Sequence, residues 1–147
     1  MVSLGRRAIV ASETDECIAF VDWTKYVRYR GEPLFERLVK IPNERGKSGA
    51  HIAILQRMGL RNGFPDYKLL VPLPPYAGLF LEAKRERGGR VDPEQESWRC
   101  KLIEFGYFAE ICAGAGELID AVRRYMRNAE ARHWHDPGPL RLGDDLR

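Results

Sequence analysis

The sequence predicts an α/β fold: a mixed β-sheet with helices on both faces. Three observations lead there. Stretches with apolar residues three and four apart alternate with short apolar runs bounded by Gly, Pro and Asn. Two of those runs, Pro65 to Val71 and Leu79 to Lys84, read as a hairpin. One helix and one further strand follow it, a unit that adds a parallel pair to the sheet. The second run, Leu79-Phe80-Leu81-Glu82-Ala83-Lys84, is apolar throughout except for two charges. Charges inside a buried strand require partners or a metal ion.

The elements follow in order. Ser12 is a helix N-cap with acids behind it in the first turn. Cys17, Phe20, Val21, Thr24 and Val27 then recur at helical spacing to about Tyr29, and Gly31 and Pro33 end the run. Arg37 to Ile41 alternates as a short strand and stops at Pro42-Asn43. A loop over Gly46 to Gly49 leads to a short helix from His51 to Met58, with Ile52, Leu55 and Met58 on one side and Gly59 as its stop. Arg61-Asn62-Gly63 is a turn, and the hairpin follows, joined through Pro72, Pro74 and Pro75. Gly88-Gly89 ends its second strand. Asp92 caps a helix with Pro93 at its first position, carrying Trp98, Leu102 and Phe105 and stopping at Gly106. Tyr107 to Cys112 alternates as a strand, Gly114 and Gly116 make a turn, and Glu117 to Arg127 is the last amphipathic helix. The order is α-β-α-β-β-α-β-α, one domain over residues 1–128 with an irregular tail over 129–147 that is rich in polar residues, Pro and Gly.

Size and composition suit a single domain. The chain has 147 residues, 44% of them hydrophobic, enough for a core. No apolar run approaches a membrane span. Arg6 and Arg7 are followed by only four apolar residues, too few for a signal peptide. The three cysteines, Cys17, Cys100 and Cys112, have no metal spacing and read as small core residues in a reducing cytoplasm. The net charge of +3 permits a nucleic-acid partner without demanding one.

The chemistry gathers between Gly63 and Gln95. Side chains two apart on a strand share a face, so Glu82 and Lys84 point with Phe80, while Leu79, Leu81 and Ala83 point the other way. Asp66 opens the preceding strand. Two carboxylates and an amine at one end of a sheet suit a hard divalent cation beside a basic group. Lys68 shares the face of Asp66 and can meet a phosphate or pair with an acid. The loop Lys84-Arg85-Glu86-Arg87-Gly88-Gly89-Arg90 supplies Arg85, Arg87 and Arg90 next to the same end, either as phosphate contacts or as a solvated turn. Arg57, Arg61, Arg123, Arg124 and Arg127 offer further cations for which a solvated face is an equal reading. His133-Trp134-His135 lies in the tail and is a weak chelate candidate.

Four segments, in order and at suitable spacing, resemble the VRR-NUC domain, a branch of the PD-(D/E)xK nuclease superfamily. They are Ser12-Glu13-Thr14-Asp15-Glu16 leading into Phe20-Val21-Asp22-Trp23; Ile41-Pro42-Asn43; Gly63-Phe64-Pro65-Asp66 with Gly78 to Lys84; and Pro93-Glu94-Gln95-Glu96-Ser97-Trp98 with Gly106-Tyr107. The likeness extends from about Ser12 to Tyr125 and is to the stand-alone form of bacteria and their phages. One departure is Cys17, where similar proteins often carry Gln.

The resemblance implies a restriction-endonuclease-like mixed sheet and a nuclease dependent on Mg²⁺ or Mn²⁺ that leaves a 5′-phosphate. It implies Asp66 and Glu82 as metal ligands, with the backbone carbonyl of Ala83 as a third oxygen. Lys84 then orients the water or stabilises the phosphate, and Gln95 orients groups at the rim. Glu13 faces the metal directly or through water, with Glu16 as the alternative. The expected substrate is DNA, branched structures such as Holliday junctions or flaps being favoured over simple duplex or single strands. A catalytically silent nucleic-acid-binding module is the remaining reading. A homodimer is expected, with Tyr76, Leu79 and the proline cluster as its contact, in the cytoplasm of a bacterial host and without a membrane partner.

Overall fold

The computed structural model of the chain describes residues 11–42, 48–130 and 133–138. Gly46 and Lys47, half of the loop expected over Gly46 to Gly49, lie outside the described residues, as do Asn43, residues 1–10 and the end of the tail. The predicted order of elements is present, with three short strands added to it.

Helix α1 spans Glu13–Thr24. Its start is a reciprocal cap: the Ser12 hydroxyl oxygen accepts from the Asp15 N–H at 3.1 Å, and the Asp15 carboxylate accepts from the Ser12 N–H at 3.0 Å. The helix ends earlier than its apolar spacing suggests. Strand β1 (Arg28–Tyr29) follows and turns back through Arg30 and Gly31, both at positive φ, into β2 (Glu32–Pro33). Strand β7 (Trp134–His135) pairs with the other side of β1. The tail expected to be irregular over 129–147 therefore contributes a strand, and Trp134 packs against the core.

A one-turn 3-10 helix, Leu34–Arg37, leads into β3 (Leu38–Lys40). Strands β4 (Tyr67–Leu69), β5 (Leu79–Lys84) and β6 (Phe108–Ala113) complete a four-stranded sheet in the order β3-β4-β5-β6. The first two pairings are antiparallel and the last is parallel. Helix α3 (Pro93–Glu104) makes the crossover that a parallel pair requires. All six residues of β5 are buried.

The alternation along β5 divides the core as its sequence predicts. Leu79, Leu81 and Ala83 join Phe20, Trp23 and Tyr125 in the larger cluster, under α1 and α4 (Gly114–Met126). Phe80 joins Leu102 and Ala109 in a smaller one, under α3. Helix α4 begins at Gly114, ahead of the expected Glu117. Gly114 has φ 82°, and a Cβ there would stand 3.1 Å from the Cβ of Glu86 and 3.3 Å from the Glu16 carboxylate. The glycine that reads as a turn signal thus serves a close approach at the helix start.

Other expectations are corrected. Helix α2 (Gly49–Arg57) half-buries Ile52 and Leu55 of the expected apolar side, but Met58 at its end is 77% exposed. Cys112 is buried and Cys17 half-buried, but Cys100 is exposed. Phe105 is 63% exposed because α3 ends just before it. Leu79 is fully buried and so is not available as the expected dimer contact, whereas Tyr76 is half-buried and stacks edge-on against Phe108 at 5.3 Å. No helix among the described residues is long and apolar enough to cross a membrane.

Tyr125 ties α4 to the loop after β4. Its ring is buried, its hydroxyl donates to the Val71 carbonyl, and burial pushes its pKa up to about 12. Tyr125→Phe is expected to cost about 1–2 kcal/mol, because the buried carbonyl keeps no partner. A thermal melt should show a fall of about 4 °C.

Candidate active site

Asp66 reaches the sheet through the turn Gly63-Phe64-Pro65. Phe64 anchors that turn, with its ring edge-on to Phe80 at 5.4 Å and to Trp98 at 4.9 Å. Asp66 stands just before β4, and the ladders on both sides run on to meet it. The Ile41 N–H donates to the Asp66 carbonyl at 2.7 Å, one step beyond the Lys40–Tyr67 pair. On the other side Tyr67 pairs with Leu81, so the same register brings Asp66 opposite Glu82. Cβ atoms of directly opposed residues are about 5 Å apart. The Ala83 N–H donates to Asp66 Oδ2 at 2.9 Å and fixes the carboxylate against β5.

Asp66, Glu82, Lys84 and Gln95 are 5%, 3%, 7% and 4% exposed. Gln95 Nε2 donates to Glu82 Oε1 at 2.5 Å, and Lys84 Nζ lies 3.4 Å from the same oxygen. The Gln95 amide is itself held, since its Oε1 accepts from the Asp92 N–H at 3.0 Å in the capping box of α3. Gln95 is therefore a buried link between a helix start and Glu82, not a rim residue. Its pattern was visible as Asp92-Pro93-Glu94-Gln95, a capping residue followed three places later by an amide. Beside Gln95 a concavity of about 410 Å³ opens between Ile41, Phe64 and Glu94.

Lys40 is the residue that sequence reading missed. Its ammonium donates to Asp66 Oδ1 at 3.1 Å and lies 4.7 Å from the centre of the Tyr67 ring. The contact depends on the β3–β4 register across 26 positions, which no local pattern reports. Lys68, expected beside Asp66, instead holds its ammonium 5.3 Å from the Phe80 ring and 5.7 Å from Tyr107. Arg85, Arg87 and Arg90 are exposed in the turn after β5, where the Arg85 guanidinium donates to the Gly88 carbonyl at 3.2 Å.

Glu13 and Glu16 separate clearly. The Glu16 carboxylate accepts from the Ala115 N–H in the first turn of α4, where the helix dipole favours a negative charge. The charge of Glu13 acts on Cys17 and Tyr67, as does that of Asp66. The Tyr67 hydroxyl lies near the Cys17 thiol. Burial raises the pKa of both, and the charges of Asp66 and Glu13 raise them further. Among the described residues no three His, Cys, Asp or Glu side chains gather closely enough to hold one ion, so Glu13 does not join Asp66 and Glu82 in a shared cluster. His133 stands 4.0 Å from Glu130. Arg123 pairs with Asp136 at 2.5 Å, and Arg124 pairs with Glu110.

The donor chemistry suits Mg²⁺ or Mn²⁺. Two buried carboxylates on adjacent strands offer hard oxygens, and the two ammonium groups now against them mark the same place as one that favours positive charge. Mg²⁺ needs few protein oxygens, since it keeps several waters.

Fold and site together define a mixed α/β protein with a buried carboxylate–lysine centre at the sheet. The model of the VRR-NUC domain family matches residues 11–116, most of the chain. A solved structure described as a VRR_NUC domain protein is similar in fold, with a TM-score of 0.73 and 24% identity over 82% of this chain and 92% of that one. Among curated proteins no sequence matches. The chain belongs to the VRR-NUC family, which implies a nuclease-type function.

Proposed function

We propose that the protein is a metal-dependent DNA endonuclease that hydrolyses phosphodiester bonds. The observation that carries the reading is the opposition of buried Asp66 and Glu82 across β4 and β5, with Lys84 and Gln95 on Glu82. Asp66, Glu82 and the Ala83 carbonyl would hold Mg²⁺ or Mn²⁺, with Glu13 acting through water. The ion would polarise a phosphoryl oxygen and lower the pKa of its water. Asp66 is kept in place by the Ala83 N–H, and Glu82 by the Gln95 amide. Lys84 presents an ammonium to the charge that builds on the phosphate. Lys40, which now donates to Asp66, would share that carboxylate with a bound ion or turn from it toward substrate phosphate. Arg85, Arg87 and Arg90 meet the DNA backbone beside the centre.

The proposed substrate class is branched DNA, cut by a homodimer, because paired incisions across a junction need two centres related by a twofold axis. Labelled four-way junctions, flaps, linear duplexes and single strands are incubated with Mg²⁺ or Mn²⁺. Faster cleavage of the branched forms supports this reading. Equal rates favour a general nuclease, and no cleavage of any form favours a silent binding module. A monomer in light scattering at working concentration counts against symmetric incision.

Gln95 gives a sharper test of the centre. Gln95→Met keeps the length of the side chain and removes both hydrogen bonds. Activity is expected to fall about 10- to 100-fold, the usual effect of losing a group that orients a metal ligand. The Mg²⁺ concentration at half-maximal rate should rise with it. A loss of rate with no change in metal dependence would count against the orienting role.

A further inference from the structure

The outer face of α3 carries an arrangement that the centre does not use. Trp98 stands one helical turn beyond Gln95, half-buried and locked: its ring is edge-on to Phe64, and its indole N–H donates to the Asn62 carbonyl at 3.0 Å. Two cations rest on this ring. The Arg61 guanidinium and the Lys101 ammonium each lie 5.0 Å from its centre. Both side chains belong to exposed residues, and among the described residues neither has a carboxylate partner. The contrast within the same helix is direct, since Arg99 is paired with Glu96 at 2.6 Å. Arg61, Trp98 and Lys101 line an open concavity of about 570 Å³ together with Asn62, Ser97 and one acidic residue, Glu94, which is ion-paired with neither cation.

A cation that lacks an acid and is held in place by an aromatic ring is pre-ordered for an anion. Ring contact limits the side-chain freedom that binding would otherwise remove. The anion suggested by position is a DNA phosphate. Gln95 and Lys101 are six residues apart on α3, a rise of about 9 Å. Phosphates on one strand repeat about every 3.4 Å of DNA helix axis, so a strand passing the centre would bring a phosphate to Lys101 within a few nucleotides. We infer that Arg61 and Lys101, held on Trp98, form a phosphate-binding pair for the DNA backbone as it leaves the candidate centre along α3. The inference rests on the nuclease reading above. Trp98 is a positioning residue in it, and no base needs to stack there.

Binding to a labelled duplex is measured by fluorescence anisotropy in EDTA, where cleavage cannot occur, across a salt series. The parent slope of log K against log salt is expected to become shallower by about 0.9 for Arg61→Ala or Lys101→Ala and by about 1.8 for the double variant. Arg28→Ala, an exposed cation on β1, serves as the control and should lower the slope by nothing. Trp98→Leu should weaken binding about fivefold while keeping the slope, because both charges remain and only their order is lost. Thermal melts check that each variant is folded. Hydrolysis of bis(p-nitrophenyl) phosphate, too small to span the patch, should be unchanged in the double variant. A double variant with the parent's slope overturns the inference, as does a parent that does not bind DNA at about 50 mM salt. If the catalytic reading alone is wrong, no phosphodiester is cleaved by the parent, yet the change in slope remains.

Discussion

Asp66→Asn is expected to reduce DNA cleavage by at least about a thousandfold, or about 4 kcal/mol of transition-state stabilisation. The change keeps the shape and one oxygen acceptor for the Ala83 N–H but removes the negative charge. A divalent ion then has Glu82 as its remaining buried carboxylate. The fold should tolerate the loss. Two buried carboxylates opposed across a strand pair repel, and the half-exposed Lys40 is free to turn to solvent once Asp66 is neutral. Stability is therefore expected within about 1 kcal/mol of the parent, or slightly above it, as is common where a site holds charge for function. Steady-state cleavage with Mg²⁺ and a thermal melt together test this. An inactive variant that is also strongly destabilised would show only that the residue is structural. A variant that cleaves at the parent rate would remove Asp66 from the centre.

The legible parts of this molecule are those with a local physical signature. Strand β5 shows its two faces in six residues, because alternation separates Phe80, Glu82 and Lys84 from Leu79, Leu81 and Ala83. The start of α3 is legible in Asp92 and Pro93, and that of α1 in Ser12. Position along the chain could not yield the contacts that depend on register between distant strands. Lys40 meets Asp66 only because β3 and β4 pair as they do, and strands β1, β2 and β7 of two residues each carry no period to read. Apolar spacing misled where packing overrode it. Helix α2 half-buries Ile52 and Leu55 but leaves Met58 in solvent, while Leu79, taken as a surface contact, is sealed between layers. Glu16 looked equivalent to Glu13, since three residues apart is one helix face. What differs between them is that the start of α4 donates an N–H to Glu16, a contact across 99 positions that no local spacing reports.

The second large effect is expected from a residue with no side chain. Gly63 has φ 76°, and a Cβ placed on it would lie 2.7 Å from both the carbonyl carbon and the Cβ of Glu94, and 2.9 Å from the Gln95 nitrogen. These are backbone and near-backbone atoms of the first turn of α3, and they cannot rotate aside. Gly63→Ala must therefore push the turn before Asp66 away from the helix that delivers Gln95. The left-handed conformation alone costs an alanine roughly 1–2 kcal/mol. Overpacking against fixed atoms adds about 1–3 kcal/mol. A total near 3 kcal/mol is expected, a fall in Tm of about 9 °C for a chain of this size. Gly106 separates the two causes. It has φ 93° at the end of α3, and nothing lies within 4 Å of a Cβ there, so Gly106→Ala carries the conformational cost without the clash. Activity should divide the pair further. Gly63→Ala moves Gln95 relative to Glu82 and should require more Mg²⁺ for half-maximal cleavage, whereas Gly106→Ala should keep the parent's metal dependence at temperatures below its melt. Equal destabilisation in the two variants, with metal dependence unchanged in both, would mean that the approach of Gly63 to α3 does not hold the site together.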